Sequence, residues 1–112
     1  MWRVELHPNV ANWLELVTEK EYERVMAALD ALEADGPGLG RPFVDHVKGS
    51  KLKNLKELRP RGGYVRLLFA FDPKRTAFVM VAGDKSTDWN SWYQRNIPVA
   101  ERRFTEHLKG LS

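Results

Sequence analysis

The sequence contains no cysteine, which excludes a disulfide scaffold, a thiolate zinc site and a cysteine nucleophile. It has no internal repeat, no low-complexity tract and no apolar run near the roughly 20 residues that span a bilayer. Its first eight residues carry charges too often for a secretory signal. With 43% hydrophobic residues among 112, these features predict one globular domain over residues 1–112. Without cysteine, we expect it in a reducing cytoplasm, without membrane contact.

Motifs for metal ions and cofactors are also lacking. None of the three histidines, His7, His46 and His107, is spaced from another histidine or a carboxylate as in metal-binding motifs. The glycine-rich residues 36–40 match neither a Walker loop nor a Rossmann fingerprint, and there is no G-x-S-x-G motif. We therefore expect neither metal nor cofactor. His107, on the last predicted helix, is expected to be exposed.

The small net charge of +3 hides a segregation of charge along the chain. Residues 1–40 carry 3 basic and 8 acidic side chains, whereas residues 41–66 carry 8 basic and 2 acidic. Such a basic segment is typical of an anion site, and nucleic acid is the commonest large anion. It is equally typical of a solvated face of lysine and arginine, and charge alone does not separate these interpretations.

Hydrophobic periodicity predicts an N-terminal strand followed by two helices. Residues 2–6 alternate apolar and charged side chains, as in a strand with one buried face. Apolar residues between Val10 and Val17 follow helical spacing. Thr18 and Glu21 form a capping box that begins a second helix, which ends before the glycine-rich residues 36–40.

The second half of the chain predicts three strands and a C-terminal helix. The strands are expected over residues 52–59, 64–71 and 76–82, and their short turns imply an antiparallel meander. Asp88 is expected to cap a helix, Pro98 to begin or kink the last helical stretch, and residues 41–50 receive no assignment. The predicted fold is α+β with the order βααβββα: a small antiparallel-meander sheet packed against the N-terminal helices, with a C-terminal helix.

Basic residues accumulate on and beside these strands. Arg66 interrupts an apolar strand and shares one face with Tyr64 and Leu68. Glu57 on the preceding strand is placed to pair with it, so Arg66 is either a structural cross-strand partner or a ligand for a phosphate. We favour the phosphate, because Lys85, just past the third of these strands, adds a basic group on the same side.

A cluster of this kind can cleave RNA without a metal ion. The RNA 2′-hydroxyl is an internal nucleophile, so the protein needs only to position it, move protons and stabilise the transition state. A lysine among like charges has a lowered pKa and can transfer a proton. Trp92 or Tyr93 can stack a base, and because they are adjacent on one helix, one of them is expected to be exposed.

The motifs on these elements resemble the phage Gp49-like branch of the RelE/HigB toxins. The matching segments are Gly49-Ser50, Lys53–Pro60, Tyr64–Pro73, Gly83–Ser86, Trp89, Trp92-Tyr93, Ile97-Pro98 and Ala100-Glu101. They cover most of the chain. An E-L-R strand, an arginine in the next strand and G-D-K-S after the third are more specific together than any one alone.

The resemblance implies the toxin of a type II toxin–antitoxin system, with a RelE-like fold, which binds the ribosomal A site and cuts mRNA there. The partners it implies are a co-encoded helix-turn-helix antitoxin in the HigA style and, only through that antitoxin, operator DNA. By position, Arg66 matches the arginine that contacts the scissile phosphate. The implied residues are catalytic Arg66, Lys56, Arg59 and Lys85, and RNA-binding Lys51, Lys53, Trp92 and Tyr93.

Two other interpretations stay open beside this one. The protein is alternatively a non-catalytic module that binds RNA or protein, or a corepressor that acts only with its antitoxin. The acid and base of the reaction also stay open, because Ser86 stands after Lys85 where many members of the family carry a second basic residue.

Overall fold

The computed structural model describes residues 1–111 and contains one mixed sheet between two helical layers. The strands are β1 (Arg3–Leu6), β2 (Val44–His46), β3 (Lys56–Leu58), β4 (Val65–Phe71) and β5 (Thr76–Asp84). The helices are α1 (Pro8–Leu16), α2 (Glu19–Asp35) and α3 (Trp89–Gly110). None of these helices, within residues 1–111, is long and apolar enough to cross a membrane.

The strands lie in the order β1-β5-β4-β3-β2. Strands β2 to β5 pair antiparallel with their neighbours, which confirms the predicted meander of β3, β4 and β5. Strand β1 adds to the far edge in parallel with β5. The α+β prediction is therefore correct, and the sheet is larger than expected because β2, in the unassigned residues 41–50, also joins it.

Each face of the sheet carries its own hydrophobic core. Leu67 and Phe69 of β4 point towards α1 and α2, where they pack with Leu14 and Leu29. The alternate residues of β4 point towards α3, where Leu68 lies in one cluster with Trp92, Ala100 and Phe104. Both faces are covered because the apolar residues of β4 and β5 alternate between the two sides. This arrangement places the face that carries Arg66 under α3.

The helix boundaries follow the predicted signals in part. Thr18 and Glu21 form both hydrogen bonds of the capping box, which confirms the start of α2. Asp88 occupies the N-cap of α3 but makes no capping bond with its side chain, which pairs instead with Arg95. Pro98 lies inside α3, which runs through it from Trp89 to Gly110.

His107 is largely buried, which corrects the prediction that it is exposed. Its ring stacks on Phe78 with centroids 3.9 Å apart, and its Nε2 lies 2.7 Å from Asp72 Oδ2. Burial raises the pKa of Asp72, but hydrogen bonds from His107 and from the N–H groups of Thr76 and Lys74 outweigh it and hold the pKa below its usual value. The pair fixes the end of α3 to the turn between β4 and β5.

This pairing predicts a pH-dependent contribution to stability. A carboxyl group with a depressed pKa in the folded state stabilises the protein above its unfolded pKa of about 3.9, and the stabilisation disappears as the pH falls through the folded value. We expect Asp72→Asn to lower the free energy of unfolding at pH 7 by about 1–3 kcal/mol. The difference from wild type should shrink below about pH 4.

Urea denaturation at several pH values measures this difference. Asp30→Asn, which removes an exposed carboxylate from α2, is the matched control and should change stability little at any pH. A deficit of Asp72→Asn that stays constant down to pH 2, well below the unfolded pKa of about 3.9, would contradict the assignment.

Candidate active site

A cluster of charged side chains surrounds the carboxylate of Glu57 on the α3 side of the sheet. Glu57 Oε1 accepts a 2.6 Å hydrogen bond from Tyr93 Oη, and Oε2 accepts bonds of 2.8 and 3.2 Å from Nη2 and Nε of Arg59. Arg66 Nε lies 3.8 Å from Glu57 Oε1. Only 5% of the Glu57 side chain is exposed. One buried carboxylate therefore accepts hydrogen bonds from Arg59 and Tyr93 and faces the Arg66 guanidinium, whose Nε has no hydrogen-bond partner among residues 1–111.

Strand register explains why these residues meet. Glu57 pairs with Leu68 across the β3–β4 ladder, and Arg66 lies two residues from Leu68 on the same face, within the reach of a long diagonal side chain. The predicted Arg66–Glu57 cross-strand pair is thus present. Arg59 follows β3 by one residue and also contacts Asp45, at 3.4 Å from Arg59 Nη2.

Lys85 joins the cluster from the end of β5. Its backbone N–H donates to the carbonyl of Tyr64 at 3.1 Å, and its Nζ donates to Tyr93 Oη at 3.0 Å. The ammonium also lies over the rings of Trp89 and Tyr93, at 4.1 and 4.9 Å from their centroids. Lys85 is buried, so Tyr93 Oη bridges a buried cation and a buried carboxylate.

Trp92 positions Tyr93 and does not form part of the exposed site. Its indole packs against Gly83, which pairs with Arg66 in the sheet. A Cβ atom at Gly83 would stand 2.7 Å from Trp92 Nε1, so only glycine permits this approach. The predicted base-stacking residue Trp92 has its ring buried in the core between α3 and the sheet, away from the exposed surface. Its neighbour Tyr93 is the more exposed of the two.

Burial and charge shift the protonation equilibria in the cluster. Burial, together with the hydrogen bond to Glu57 and its charge, raises the pKa of Tyr93 to about 12. Burial also lowers the pKa of Lys85, and repulsion from Arg66 lowers it further. The hydrogen bond to Glu57 raises the pKa of Arg59. At neutral pH Tyr93 is therefore a hydrogen-bond donor, and Lys85 releases its proton more readily than an ordinary lysine.

Three of the predicted basic residues lie outside this cluster. Lys56 shares a face with Leu58, and its Nζ lies 5.5 Å from the ring of Phe71 on the opposite side of the sheet. Lys51 and Lys53 are exposed in bends and turns before β3, which begins only at Lys56 rather than at residue 52. Strand alternation separates Lys56 from Arg66, so the structure does not bring Lys56 into the cluster around Glu57.

Lys51 nevertheless remains beside the cluster. It lines a groove of about 370 Å³ between residues 48–51 and α3, whose walls also include Lys48 and Tyr93. Glu101 of α3 holds the loop in place by accepting hydrogen bonds from Ser50 Oγ at 2.9 Å and from the backbone N–H of Lys51. The groove therefore presents lysines next to Tyr93.

Two members of the site were not predicted from the sequence. Trp89 covers Lys85, and Asp45 on β2 adds a second carboxylate beside Arg59. The spacing of Trp89 and Tyr93, one helical turn apart, is a signal that both lie on one face of α3. No comparable signal existed for Asp45, because β2 itself was not predicted.

Comparison with known proteins defines the family. The sequence profile of the family described as "Phage derived protein Gp49-like" matches residues 12–105. "Putative toxin HigB3" of Mycobacterium tuberculosis is 47% identical over 100 residues, which cover 89% of this chain and 88% of that protein. "Putative toxin HigB2" of the same organism is 44% identical over 110 residues, covering 96% of this chain and 54% of that protein.

Solved structures agree with this relationship at the level of the fold. A structure of the archaeal RelE–RelB complex from Pyrococcus horikoshii matches with a TM-score of 0.62 at 22% identity, covering 77% of this chain and 97% of that chain. The isolated Escherichia coli RelE toxin matches with a TM-score of 0.62 at 12% identity, covering 85% and 98%. The chain belongs to the Gp49-like family, within the RelE/HigB superfamily of toxin–antitoxin toxins.

The contacts of Glu57 predict how its neighbour titrates. Glu57→Gln keeps an oxygen that accepts from Tyr93 but removes the negative charge, so we expect the pKa of Tyr93 to fall from about 12. Because burial remains, it should stay above the ordinary value of about 10. Ultraviolet titration of tyrosinate measures the change, and Tyr93→Phe identifies which signal belongs to Tyr93.

Glu23→Gln, at an exposed position on α2, is the control for loss of one carboxylate and should leave the Tyr93 titration unchanged. If Glu57→Gln also leaves it unchanged, the charge of Glu57 does not act on Tyr93 and the cluster is not electrostatically coupled as described.

Proposed function

We propose that this protein is the toxin of a type II toxin–antitoxin system and a ribosome-dependent mRNA endonuclease. The observation that carries the proposal is the cluster of Arg59, Arg66, Lys85 and Tyr93 around Glu57, which provides charge stabilisation and proton transfer in one place. The relationship to HigB and RelE toxins supports the toxin assignment. The proposed reaction arrests translation by cutting the message in the ribosomal A site.

The proposed chemistry uses the RNA itself as the nucleophile, with no metal ion or cofactor. The 2′-hydroxyl gives its proton to solvent water as its oxygen attacks the phosphorus, and the bond from phosphorus to the 5′-oxygen breaks as that oxygen takes a proton from the protein. The products are a 2′,3′-cyclic phosphate and a 5′-hydroxyl. The protein lowers the barrier by holding the reacting groups in line and by stabilising the dianionic transition state.

Each side chain has a role that its surroundings support. Arg66 and Arg59 hold the phosphate oxygens, since a guanidinium presents a rigid fork of donors. Lys85, with its lowered pKa, donates a proton to the departing 5′-oxygen. Glu57 and Tyr93 are positioning residues in this scheme, because their mutual bond fixes Lys85 and the arginines.

The proposed partner is a cognate helix-turn-helix antitoxin of the HigA type, through which the toxin reaches operator DNA. The solved complexes of archaeal RelE with RelB and of RelBE2 from Mycobacterium tuberculosis show that proteins of this fold are held by antitoxins. In this proposal the toxin acts alone on the ribosome and is neutralised when the antitoxin binds.

Removing the Arg66 guanidinium tests the proposal. We expect Arg66→Ala to lower the rate of cleavage of a ribosome-bound message by about 100-fold or more, the usual effect of losing a group that stabilises transition-state charge. Primer extension on the message locates and counts the cuts. Lys74→Ala, in the exposed turn at the opposite end of the β4–β5 hairpin, removes one positive charge as a control and should cut like wild type.

The same assay separates the alternatives. Cuts at the A-site codon by the wild type, absent with Arg66→Ala, support the endonuclease. An intact message together with arrested growth would show that the protein inhibits by binding alone. Operator binding with its antitoxin, without any toxicity when produced alone, would assign it a corepressor role.

A further inference from the structure

Two exposed aromatic rings stand at the edge of the cationic cluster. Tyr64, just before β4, is 45% exposed, and Trp89, the first residue of α3, is 49% exposed. Their ring centroids are 5.2 Å apart with an interplanar angle of 69°. Large aromatic side chains that remain accessible next to each other mark a contact surface more often than isolated ones do. The exposed rings of Tyr64 and Trp89 therefore suit a ligand that has an apolar face.

The neighbouring charges restrict what this ligand is. Lys85 Nζ lies 4.1 Å from the centroid of Trp89 and donates to Tyr93, so the aromatic pair adjoins the cationic cluster directly. A fitting ligand combines a flat apolar ring with a negative charge close by. A single-stranded nucleotide has this combination, and stacking on aromatic side chains is how proteins commonly hold unpaired bases.

We propose that Trp89 and Tyr64 form a stacking platform for the base of a nucleotide that flanks the scissile phosphate. The inference rests on the proposed endonuclease function and adds a base contact to it. Lys85 supports the Trp89 ring through its cation–π contact, and its ammonium connects this ring to the cluster through Tyr93 Oη. Because every base has an aromatic face, the platform strengthens RNA binding with little preference among bases.

The platform also accounts for the different positions of two tryptophans on the same helix. Trp92 is buried against Gly83 and fixes the start of α3. Trp89, three residues earlier, leaves the core and covers Lys85. The partner of Trp89 in the structure is Tyr64, whose own ring is as accessible as that of Tyr22 on α2.

Affinity for a message that cannot be cut tests the platform. The probe is a ribosome programmed with RNA that carries a 2′-O-methyl group at the cleaved nucleotide, which blocks the nucleophile. We expect Trp89→Leu to weaken binding about 10-fold, while Trp89→Phe, which keeps a ring, retains most of the affinity. Tyr22→Leu, at the equally exposed tyrosine on α2, is the matched control and should bind like wild type.

A second measurement distinguishes stacking from a structural role of Trp89. The same RNA is prepared with an abasic nucleotide on one or the other side of the scissile phosphate. Wild type should bind one of these abasic messages about 10-fold more weakly than it binds the intact message. Trp89→Leu should bind that abasic message as well as wild type does, because the base that would stack on Trp89 is already missing. The platform would be overturned if the loss of affinity from Trp89→Leu and the loss from the abasic nucleotide multiplied, as independent effects do. It would also be overturned if Trp89→Leu bound the intact message like wild type.

The outcomes separate this inference from the function on which it rests. If wild type leaves an unmodified message uncut, the endonuclease proposal fails and the platform fails with it. If wild type cuts and Trp89→Leu shows no defect in affinity, the platform alone is wrong. If Trp89→Leu loses binding to the cognate antitoxin while RNA affinity is unchanged, the aromatic pair is a protein-docking surface and the inference is overturned.

Discussion

The buried carboxylate of Glu57 is the interaction on which the cationic cluster depends. Lys85 is buried and Arg66 is largely buried on the α3 side of the sheet, where an uncompensated charge is costly, whereas about a third of the Arg59 side chain is exposed. Glu57 offsets this cost by accepting from Arg59 and Tyr93 and by facing Arg66. Losing one partner of such a buried set costs roughly 3–5 kcal/mol, because the remaining charges stay unpaired. The site therefore contains its own counter-ion.

The position of α3 determines whether this cluster is complete. Near its start, Trp92 rests on Gly83 and brings Tyr93 to Glu57. Near its end, His107 stacks on the sheet and pairs with Asp72. The 22-residue helix α3 is therefore fixed to the sheet near both of its ends. Tyr93 of α3 thus bridges two side chains from separate segments, Glu57 on β3 and Lys85 just after β5.

Strand alternation explains why Arg66 was correctly predicted to pair with Glu57. The same rule, applied to the preceding strand, shows why Lys56 lies apart from that pair. Alternation places Arg66 on the face towards which Glu57 points, and the structure confirms that pair. The same rule means that Lys56, adjacent to Glu57, faces the other way, so the two cannot both join Arg66. The closely spaced lysines before and within β3 suggested a single basic surface, but side chains that alternate along a strand point to the two opposite faces of the sheet.

The remaining differences arise from contacts between distant segments. His107 was expected to be exposed because a lone histidine near a helix end is polar, whereas its burial depends on Asp72, which lies 35 residues away. Strand β2 contains three residues, too few for periodicity to be visible, and β3 also has three, within the longer strand predicted over residues 52–59. They exist because neighbouring strands complete their hydrogen bonds, and a local pattern does not report that.

The charge of residues 41–66 alone was consistent with either a solvated basic face or an anion site. The structure shows that its basic side chains differ in burial. Lys48, Lys51 and Lys53 are exposed on the loops before β3, and salt screens such charges over about 10 Å at 0.1 M. Arg59 and Arg66 lie deeper in the cluster, where screening is weaker. In the proposed function the lysines attract the RNA over a distance, whereas the arginines act on one phosphate. Burial thus divides this segment into exposed lysines and the two arginines of the proposed phosphate site.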